Sequence, residues 1–134
     1  MLLQLKALHD ELRAAIAELE AQTAKSIPDE AHLPQARLRV VKASGRRKAL
    51  IDCTIQPRLH DVSPEDSSRM TDLRRASFEL AVETSQHIAR WTMGSIQADW
   101  DGYRRSAAEF AERLRKRIAE ESAILYPLLE SRAA

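Results

Sequence analysis

The first twenty residues, MLLQLKALHDELRAAIAELE (residues 1–20), place apolar side chains at alternating steps of three and four. Because an α-helix completes a turn every 3.6 residues, this spacing puts them on one helix face. That face contains Leu2, Leu5, His9, Leu12, Ile16 and Leu19. We therefore predict an amphipathic helix from Leu2 to Ala24, broken by the segment Ser26-Ile27-Pro28-Asp29.

Three further segments carry a similar apolar face. Pro34 fits the first turn of a second helix, and Pro57 marks its end. Ser63-Pro64 is an N-cap signal for a third helix, and Gly94-Ser95 separates that helix from a fourth. Pro127 is expected to kink or end the fourth helix. The four predicted helices are Leu2–Ala24, Gln35–Gln56, Pro64–Met93 and Ser95–Leu129.

The composition supports an all-helical fold. Ala, Leu, Arg and Glu are abundant, whereas aromatic residues make up 4% of the chain. A chain of 134 residues fits one domain, covering residues 1–134. Amphipathic helices joined by short links pack most simply with neighbours running in opposite directions. We therefore predict an all-α, antiparallel up-down-up-down four-helix bundle with no β-sheet.

Charge and cysteine content exclude several classes of protein. The net charge of +1 creates no field that would draw the whole chain to nucleic acid or a membrane surface. A single cysteine, Cys53, excludes an intramolecular disulfide, and no histidine lies near it in sequence to activate it as a nucleophile. No apolar run is long enough to span a bilayer or to form a signal peptide. We expect a cytoplasmic protein that does not bind nucleic acid or insert in a membrane.

A few positions on the apolar faces carry ionisable residues, which an apolar core would not contain. His9 lies among leucines on the first helix, and Arg117 and Glu121 lie one turn apart on the fourth. Buried ionisable groups are costly unless they are paired, so these positions indicate a polar site. Arg47 lies ten residues before Pro57, just as Arg117 lies ten before Pro127, so Arg47 belongs to the same set. The alternative is that Arg117 and Glu121 form a partly wet i, i+4 pair near one end of the bundle.

Two of these stretches resemble a known family. The segment Arg117-Ile118-Ala119-Glu120-Glu121-Ser122-Ala123-Ile124-Leu125-Tyr126-Pro127 is similar to the last-helix motif of hemerythrin-like (HHE) proteins. His9-Asp10-Glu11-Leu12-Arg13 resembles the opening helix of that family. The resemblance implies a four-helix bundle in which histidines and carboxylates from several helices hold two irons.

Most of the iron ligands that the resemblance implies are missing. His9 matches the first-helix histidine, and Glu121 approximately matches the last-helix carboxylate. Non-ligand or doubtful residues stand at the other positions: Arg47, Ile51, Asp66, Met70 and Arg117. We therefore expect no di-iron site and no cofactor. His9, Arg47, Arg117 and Glu121 map to one level of the bundle, where excess positive charge would suit a small anion.

Other residues invite functional hypotheses that we consider weaker. His87 is expected at the far end of the bundle from His9, bonded to a carbonyl or a carboxylate at the edge of the core. Trp91, Trp100 and Tyr103 fit either the core or a contact in a homodimer. Clustered basic residues on the second helix are expected to form a solvated face rather than a nucleic-acid site. These are Arg37, Arg39, Lys42, Arg46, Arg47 and Lys48.

The sequence therefore favours a non-enzymatic bundle that has lost the di-iron site and binds a small ligand, for example an anion, or a protein partner. The alternative is a residual metal protein that holds iron or another metal through His9 and Glu121, for oxygen or metal sensing or for storage. A third hypothesis is a purely structural or oligomerising bundle with no pocket.

Overall fold

The computed structural model describes residues 1–133, which are helical along most of their length. Its α-helices are α1 (Leu2–Thr23), α2 (Leu33–Leu50), α3 (Pro64–Arg90), α4 (Met93–Ala98) and α5 (Trp100–Ala133). A π-helical turn, Ile51–Ile55, and a 3₁₀ turn, Gln56–Arg58, extend α2. Residues 1–133 contain no β-strand, so the all-α prediction is confirmed. None of the helices described is long and apolar enough to cross a membrane.

The helix starts follow local capping chemistry. The Ser63 hydroxyl accepts a hydrogen bond from the Asp66 N–H at 3.1 Å, as its N-cap position predicts. Thr92 caps the short helix α4 by accepting from the Ser95 N–H at 3.2 Å. Asp99 interrupts the helical path and accepts from the Gly102 N–H at 2.9 Å, which starts α5. The predicted helix Ser95–Leu129 is therefore wrong at its start, because α4 already begins at Met93 and Asp99 divides the segment.

Two internal prolines were expected to affect their helices: Pro57 to mark a helix end, and Pro127 to kink or end its helix. Pro127 lies inside α5, which continues to Ala133. A proline inside a helix removes one backbone hydrogen bond, but Leu125 and Leu129 on either side of it are buried, and this packing holds the helix together. Near Pro57 the chain changes from α- to π- to 3₁₀-helix and remains helical to Arg58. Tertiary packing therefore outweighs the local effect of proline at Pro127, whereas the regular α-helix before Pro57 ends at Leu50.

The buried apolar residues form a larger and a smaller cluster. The larger core cluster contains most of the aromatic residues, with Trp91, Tyr103 and Phe110 among its members. The smaller core cluster contains Leu5, Ile51, Ile55, Leu59, Met70, Leu73, Leu125 and Leu129. Each long helix carries a buried polar residue between members of the two clusters, and α5 carries a second one, Arg117, one turn before Glu121. We call this set the polar layer: His9 on α1, Arg47 on α2, Ser77 on α3, and Arg117 and Glu121 on α5.

Candidate functional site

The polar layer brings the predicted site residues deep into the protein. His9 is 0% exposed, Arg47 1%, Glu121 2% and Arg117 9%. His9, Arg47 and Glu121 are each flanked along the chain by residues of the two core clusters, whereas Arg117 lies one turn before Glu121, between Leu114 and Ile118 of the larger cluster. The partners and charges of these side chains therefore decide what the layer can bind.

The Glu121 carboxylate is the centre of the layer. One oxygen, Oε1, lies 2.9 Å from Nε2 of His9, and the other, Oε2, accepts a hydrogen bond from Nη1 of Arg47. Three helices are thus joined through one carboxylate. The i, i+4 ion pair that the sequence suggested between Arg117 and Glu121 is not among the ion pairs of the residues described. Arg47 takes that place because it approaches from the facing helix.

Tyr126 completes this network and was not predicted as a site residue. Its hydroxyl lies 2.6 Å from Nδ1 of His9, and Nζ of Lys6 lies 5.4 Å from the centre of its ring. Because a carboxylate only accepts hydrogen bonds, Nε2 of His9 carries the proton that faces Glu121. In a neutral imidazole, Nδ1 then accepts from the Tyr126 hydroxyl. The sequence signal was present, since Tyr126 lies five residues after Glu121 in the motif, but only the fold brings it to His9.

Arg47 is a buried cation with incomplete hydrogen bonding. Burial lowers the pKa of its guanidinium, and Arg117 lowers it further, while the Glu121 charge opposes both effects. Its Nη2 donates to the Ser44 hydroxyl across 3.5 Å, the long limit of a hydrogen bond. Its Nε has no hydrogen-bond partner. One edge of the guanidinium is therefore poorly satisfied.

Arg117 is also short of acceptors. Its Nη1 lies 3.1 Å from Oε2 of Glu120, close enough for charge attraction. The two groups are not aligned for a hydrogen bond, and Nε and Nη1 of Arg117 both lack a hydrogen-bond partner. The Glu120 side chain is 38% exposed, so water weakens its attraction for Arg117. Inside the layer, two guanidinium groups therefore face the single fully buried carboxylate of Glu121.

Cavities of about 150 Å³ lie on both sides of α3 and reach these arginines. The α2–α3 cavity is lined by Val41, Ser44, Gly45, Arg47, Lys48, Ser77, Leu80, Ala81 and Thr84. The α3–α5 cavity is lined by Ala76, Glu79, Leu80, Glu83, Arg113, Lys116, Arg117 and Glu120. Each cavity therefore has one arginine of the polar layer among its lining residues.

The layer does not fit a di-iron centre. Among the residues described, no group of three or more His, Cys, Asp or Glu side chains is placed to hold a metal ion. His9 and Glu121, the two residues that match ligand positions in the resemblance, hydrogen-bond to each other instead, and Glu121 also accepts from Arg47. Of the other positions, Ile51 and Met70 lie in the smaller core cluster, and Asp66 lies 3.4 Å from Arg69.

His87 lies in an aromatic cluster rather than in the polar layer. Its ring stacks on Phe110 with centroids 4.9 Å apart, and its Nδ1 lies 3.3 Å from the Ser106 hydroxyl. The carbonyl or carboxylate partner that the sequence suggested is therefore replaced by a hydroxyl. Burial, with Arg37 and Arg113 nearby, lowers the pKa of His87 to about 4, so the ring is neutral at pH 7.

The remaining candidates have structural partners. Among the clustered basic residues on α2, Arg39 pairs with Glu18, Arg46 with Glu11 and Lys48 with Asp52. Nη2 of Arg37 donates to the Trp91 carbonyl at 2.7 Å. Much of the positive charge on α2 is therefore neutralised within the chain. Trp91 and Tyr103 are buried in the larger core cluster, and Trp100 packs against it. The Cys53 thiol is exposed.

Comparison with protein-family models, with curated proteins and with solved structures finds no match for the chain. The function must therefore be argued from the site.

Proposed function

We propose that this protein is a non-enzymatic, hemerythrin-like antiparallel four-helix bundle whose polar layer binds a small anion where a di-iron centre has been lost. Support for the antiparallel arrangement comes from the order of the core residues. The chain passes from the smaller to the larger core cluster on α1 and α3, and in the reverse order on α2 and α5. The residues on either side of the polar layer, in chain order, are Leu5 and Leu12 on α1, Ala43 and Ile51 on α2 and its π-helical extension, Leu73 and Leu80 on α3, and Ile118 and Leu125 on α5.

The observation that carries the anion proposal is the set of unsatisfied guanidinium donors. Nε of Arg47 and both Nε and Nη1 of Arg117 are buried without a hydrogen-bond acceptor. Leaving such a donor unpaired costs about 1–3 kcal/mol, and more for a charged group. An anion would supply both the acceptors and the missing negative charge. The charge-assisted bonds it forms would be stronger than those of a neutral ligand.

A non-enzymatic role is supported by how the ionisable groups are used. Both ring nitrogens of His9 are engaged, by Glu121 and by Tyr126. His9 therefore has no free nitrogen to take a proton from a substrate. The lowered pKa of His87, about 4, makes that residue a weak base at neutral pH. The network is thus suited to holding a charge in place.

A protein partner remains the second candidate, and one observation favours it. The outer face of α3 carries large apolar side chains, with Phe78 67% exposed, Ile88 45% and Val82 41%. Exposed apolar residues that cluster on one helix are typical of a contact surface. This surface is compatible with a bound anion, because the polar layer lies on the buried side of α3.

The anion proposal is tested by ligand-dependent stability at constant ionic strength. Thermal unfolding would be followed in chloride, acetate and inorganic phosphate, with and without Arg117→Met. An anion that binds the native state stabilises it by about 2.7 kcal/mol at 100 times its Kd. We expect at least one anion to raise the Tm of the native chain and to lose this effect in Arg117→Met.

Arg115→Met is the matched control, because it removes the same charge from the same helix at an exposed residue paired with Glu20. It should keep the anion effect. The proposal is wrong if no anion raises Tm above the ionic-strength control, or if both variants lose the effect equally. Elemental analysis of the purified protein tests the residual-metal alternative, which predicts stoichiometric iron or zinc.

A further inference from the structure

We infer that this chain forms a homodimer in which the outer faces of two α3 helices pack antiparallel, with Phe78 at the two-fold axis. The inference goes beyond anion binding and does not depend on it. Its basis is a row of exposed residues on α3, which we call the outer stripe: Thr71, Phe78, Val82, Ser85 and Ala89. A second copy of the same stripe is the occupant that the charges beside it match.

The outer stripe follows the helical repeat but lies on a different face of α3 from the core residues. Its members are three, four or seven residues apart, which places them on one helix face. The core face carries Leu73, Ser77 and Leu80, which are buried. Phe78 is 67% exposed and Val82 41%. Aromatic residues are enriched in protein interfaces, so this face has the composition of a contact surface.

Two charged residues beside Phe78 are left without a partner. Arg75 and Glu79 take part in no ion pair among the residues described. Their charged neighbours on α3 are held within the chain. Nε of Arg74 donates to an amide oxygen on the 3₁₀ turn at 2.7 Å, and Oε2 of Glu83 lies 3.1 Å from an arginine of α5. A cation and an anion beside the outer stripe are therefore free to pair with another molecule.

Two-fold symmetry brings these free charges together. With Phe78 at the axis of an antiparallel pair, a residue n positions after Phe78 lies level with the residue n positions before it in the second copy. Glu79 is one position after Phe78 and Arg75 is three positions before it, so the two are offset by about 3 Å along the helix. Both lie on the same flank of the stripe, and the symmetry places like flanks opposite each other. Arg75 of each copy therefore meets Glu79 of the other.

The rest of the stripe also meets compatible neighbours. Val82 lies level with Arg74 of the second copy and beside Arg75, whose aliphatic stems can cover it. Thr71 and Ser85 are each seven positions from Phe78, so they lie level with each other. The arrangement covers the apolar residues without placing like charges at one level. Because the net charge of each chain is only +1, two copies repel each other weakly.

The length of the stripe sets the expected strength of the dimer. From Thr71 to Ala89 it extends about 27 Å along the helix. One helix face of this length covers less than the roughly 800 Å² per partner of a standard interface. Interfaces of this size belong to transient complexes, so we expect a dissociation constant of roughly 10–100 μM. The dimer should therefore form at high protein concentration and dissociate on dilution.

Sedimentation equilibrium of the full chain, at concentrations from about 5 μM to about 1 mM, tests whether this dimer forms. Phe78→Lys places a charge at the two-fold axis and should weaken association at least about ten-fold. Leu3→Lys is the matched control, because Leu3 is an apolar residue of α1 that is 82% exposed. It should leave association unchanged. Lysine is a good helix former, and circular dichroism would check that both variants are folded.

Charge reversal tests the antiparallel arrangement. Arg75→Glu leaves two carboxylates on the pairing flank and Glu79→Arg leaves two guanidinium groups, so each variant alone should associate about ten-fold more weakly. In an equimolar mixture, one copy of each variant restores opposite charges at both pairs. We expect the mixture to associate within about three-fold of the native chain. Energy transfer between dyes on Cys53, whose thiol is exposed, would measure these mixed dimers.

Several results overturn the inference. A chain that remains monomeric at about 1 mM does not pair through α3, and the outer stripe is then left to a different protein. A dimer that is insensitive to Phe78→Lys, or equally sensitive to Leu3→Lys, uses another surface. A mixture that associates no better than either charge variant alone excludes the antiparallel arrangement. Arg117→Met should not affect the dimer, so failure of the anion proposal and failure of this inference give separate results.

Discussion

Replacing Glu121 with glutamine tests whether the polar layer is a buried ion pair that the fold depends on. Glu121→Gln keeps the size of the side chain and one carbonyl oxygen, but removes its charge. Arg47, at 1% exposure, then has no buried carboxylate to oppose its charge. Removing one partner of a buried pair costs about 3–5 kcal/mol, because the remaining charge is left without compensation.

The adjacent residue provides a matched control. Glu120→Gln makes the same change one position earlier on α5, where the carboxylate is 38% exposed and lies 3.1 Å from Nη1 of Arg117. Pairs with an exposed partner contribute about 0.2–1 kcal/mol. The two variants should therefore differ in free energy of unfolding by about 2 kcal/mol or more. Urea denaturation followed by far-UV circular dichroism would measure this difference at pH 7.

A double variant separates charge from packing. In Arg47→Met/Glu121→Gln, both charges are removed, so we expect the protein to recover much of the stability lost in Glu121→Gln alone. This variant also keeps the test informative if Glu121→Gln does not fold. If Glu121→Gln costs no more than Glu120→Gln, or if the double variant is no more stable than the single one, the buried pair does not contribute as we argue.

Further measurements test other parts of the structure. Because burial lowers the pKa of His87 from 6.5 to about 4, its contribution to stability is complete above pH 6.5 and is lost as the pH falls towards 4; His87→Gln should flatten this dependence, and an unchanged profile would contradict it. Tyr126→Phe removes the hydroxyl that lies 2.6 Å from Nδ1 of His9 and should lower the free energy of unfolding by about 1 kcal/mol, whereas no change would mean that the bond is not formed in solution. Gly45→Ala should raise Tm, since its Cβ meets open space and alanine favours the helix over glycine. In Gly102→Ala the new Cβ collides with the capping Asp99 carboxylate, and loss of this cap should cancel the gain in Tm. The protein as purified should contain less than stoichiometric iron by elemental analysis, and two irons per chain would show that the ligand assignment is wrong.

Much of the helical framework could be predicted from local signals. The period of apolar residues on α1 predicted Leu5, Leu12, Ile16 and Leu19 as buried, and each of them is. Ser63-Pro64 marked the start of α3 because a cap acts within one turn. The additional helix α4 and the start of α5 at Trp100 were not predicted, since Thr92 and Asp99 cap there in competition with Gly94-Ser95.

The polar layer was predicted in its members but not in its contacts. His9, Arg117 and Glu121 were recognised because charged or imidazole groups interrupt apolar faces, and Arg47 because its spacing from Pro57 repeats that of Arg117 from Pro127. Spacing along α5 offered pairing of Arg117 with Glu121 as one alternative, since residues four apart share a helix face. The contact with Arg47 could not be predicted, because it depends on how closely α2 approaches α5.

The sequence by itself determined that the chain is helical and where its apolar faces lie. These properties follow from side-chain type and from interactions within a few residues. Only the tertiary structure decided that Glu121 binds Arg47 and His9, that Tyr126 joins them, and that Ser77 and Gly45 line a cavity beside Arg47. Such contacts join residues far apart in the chain, and the packing of whole helices sets their distances.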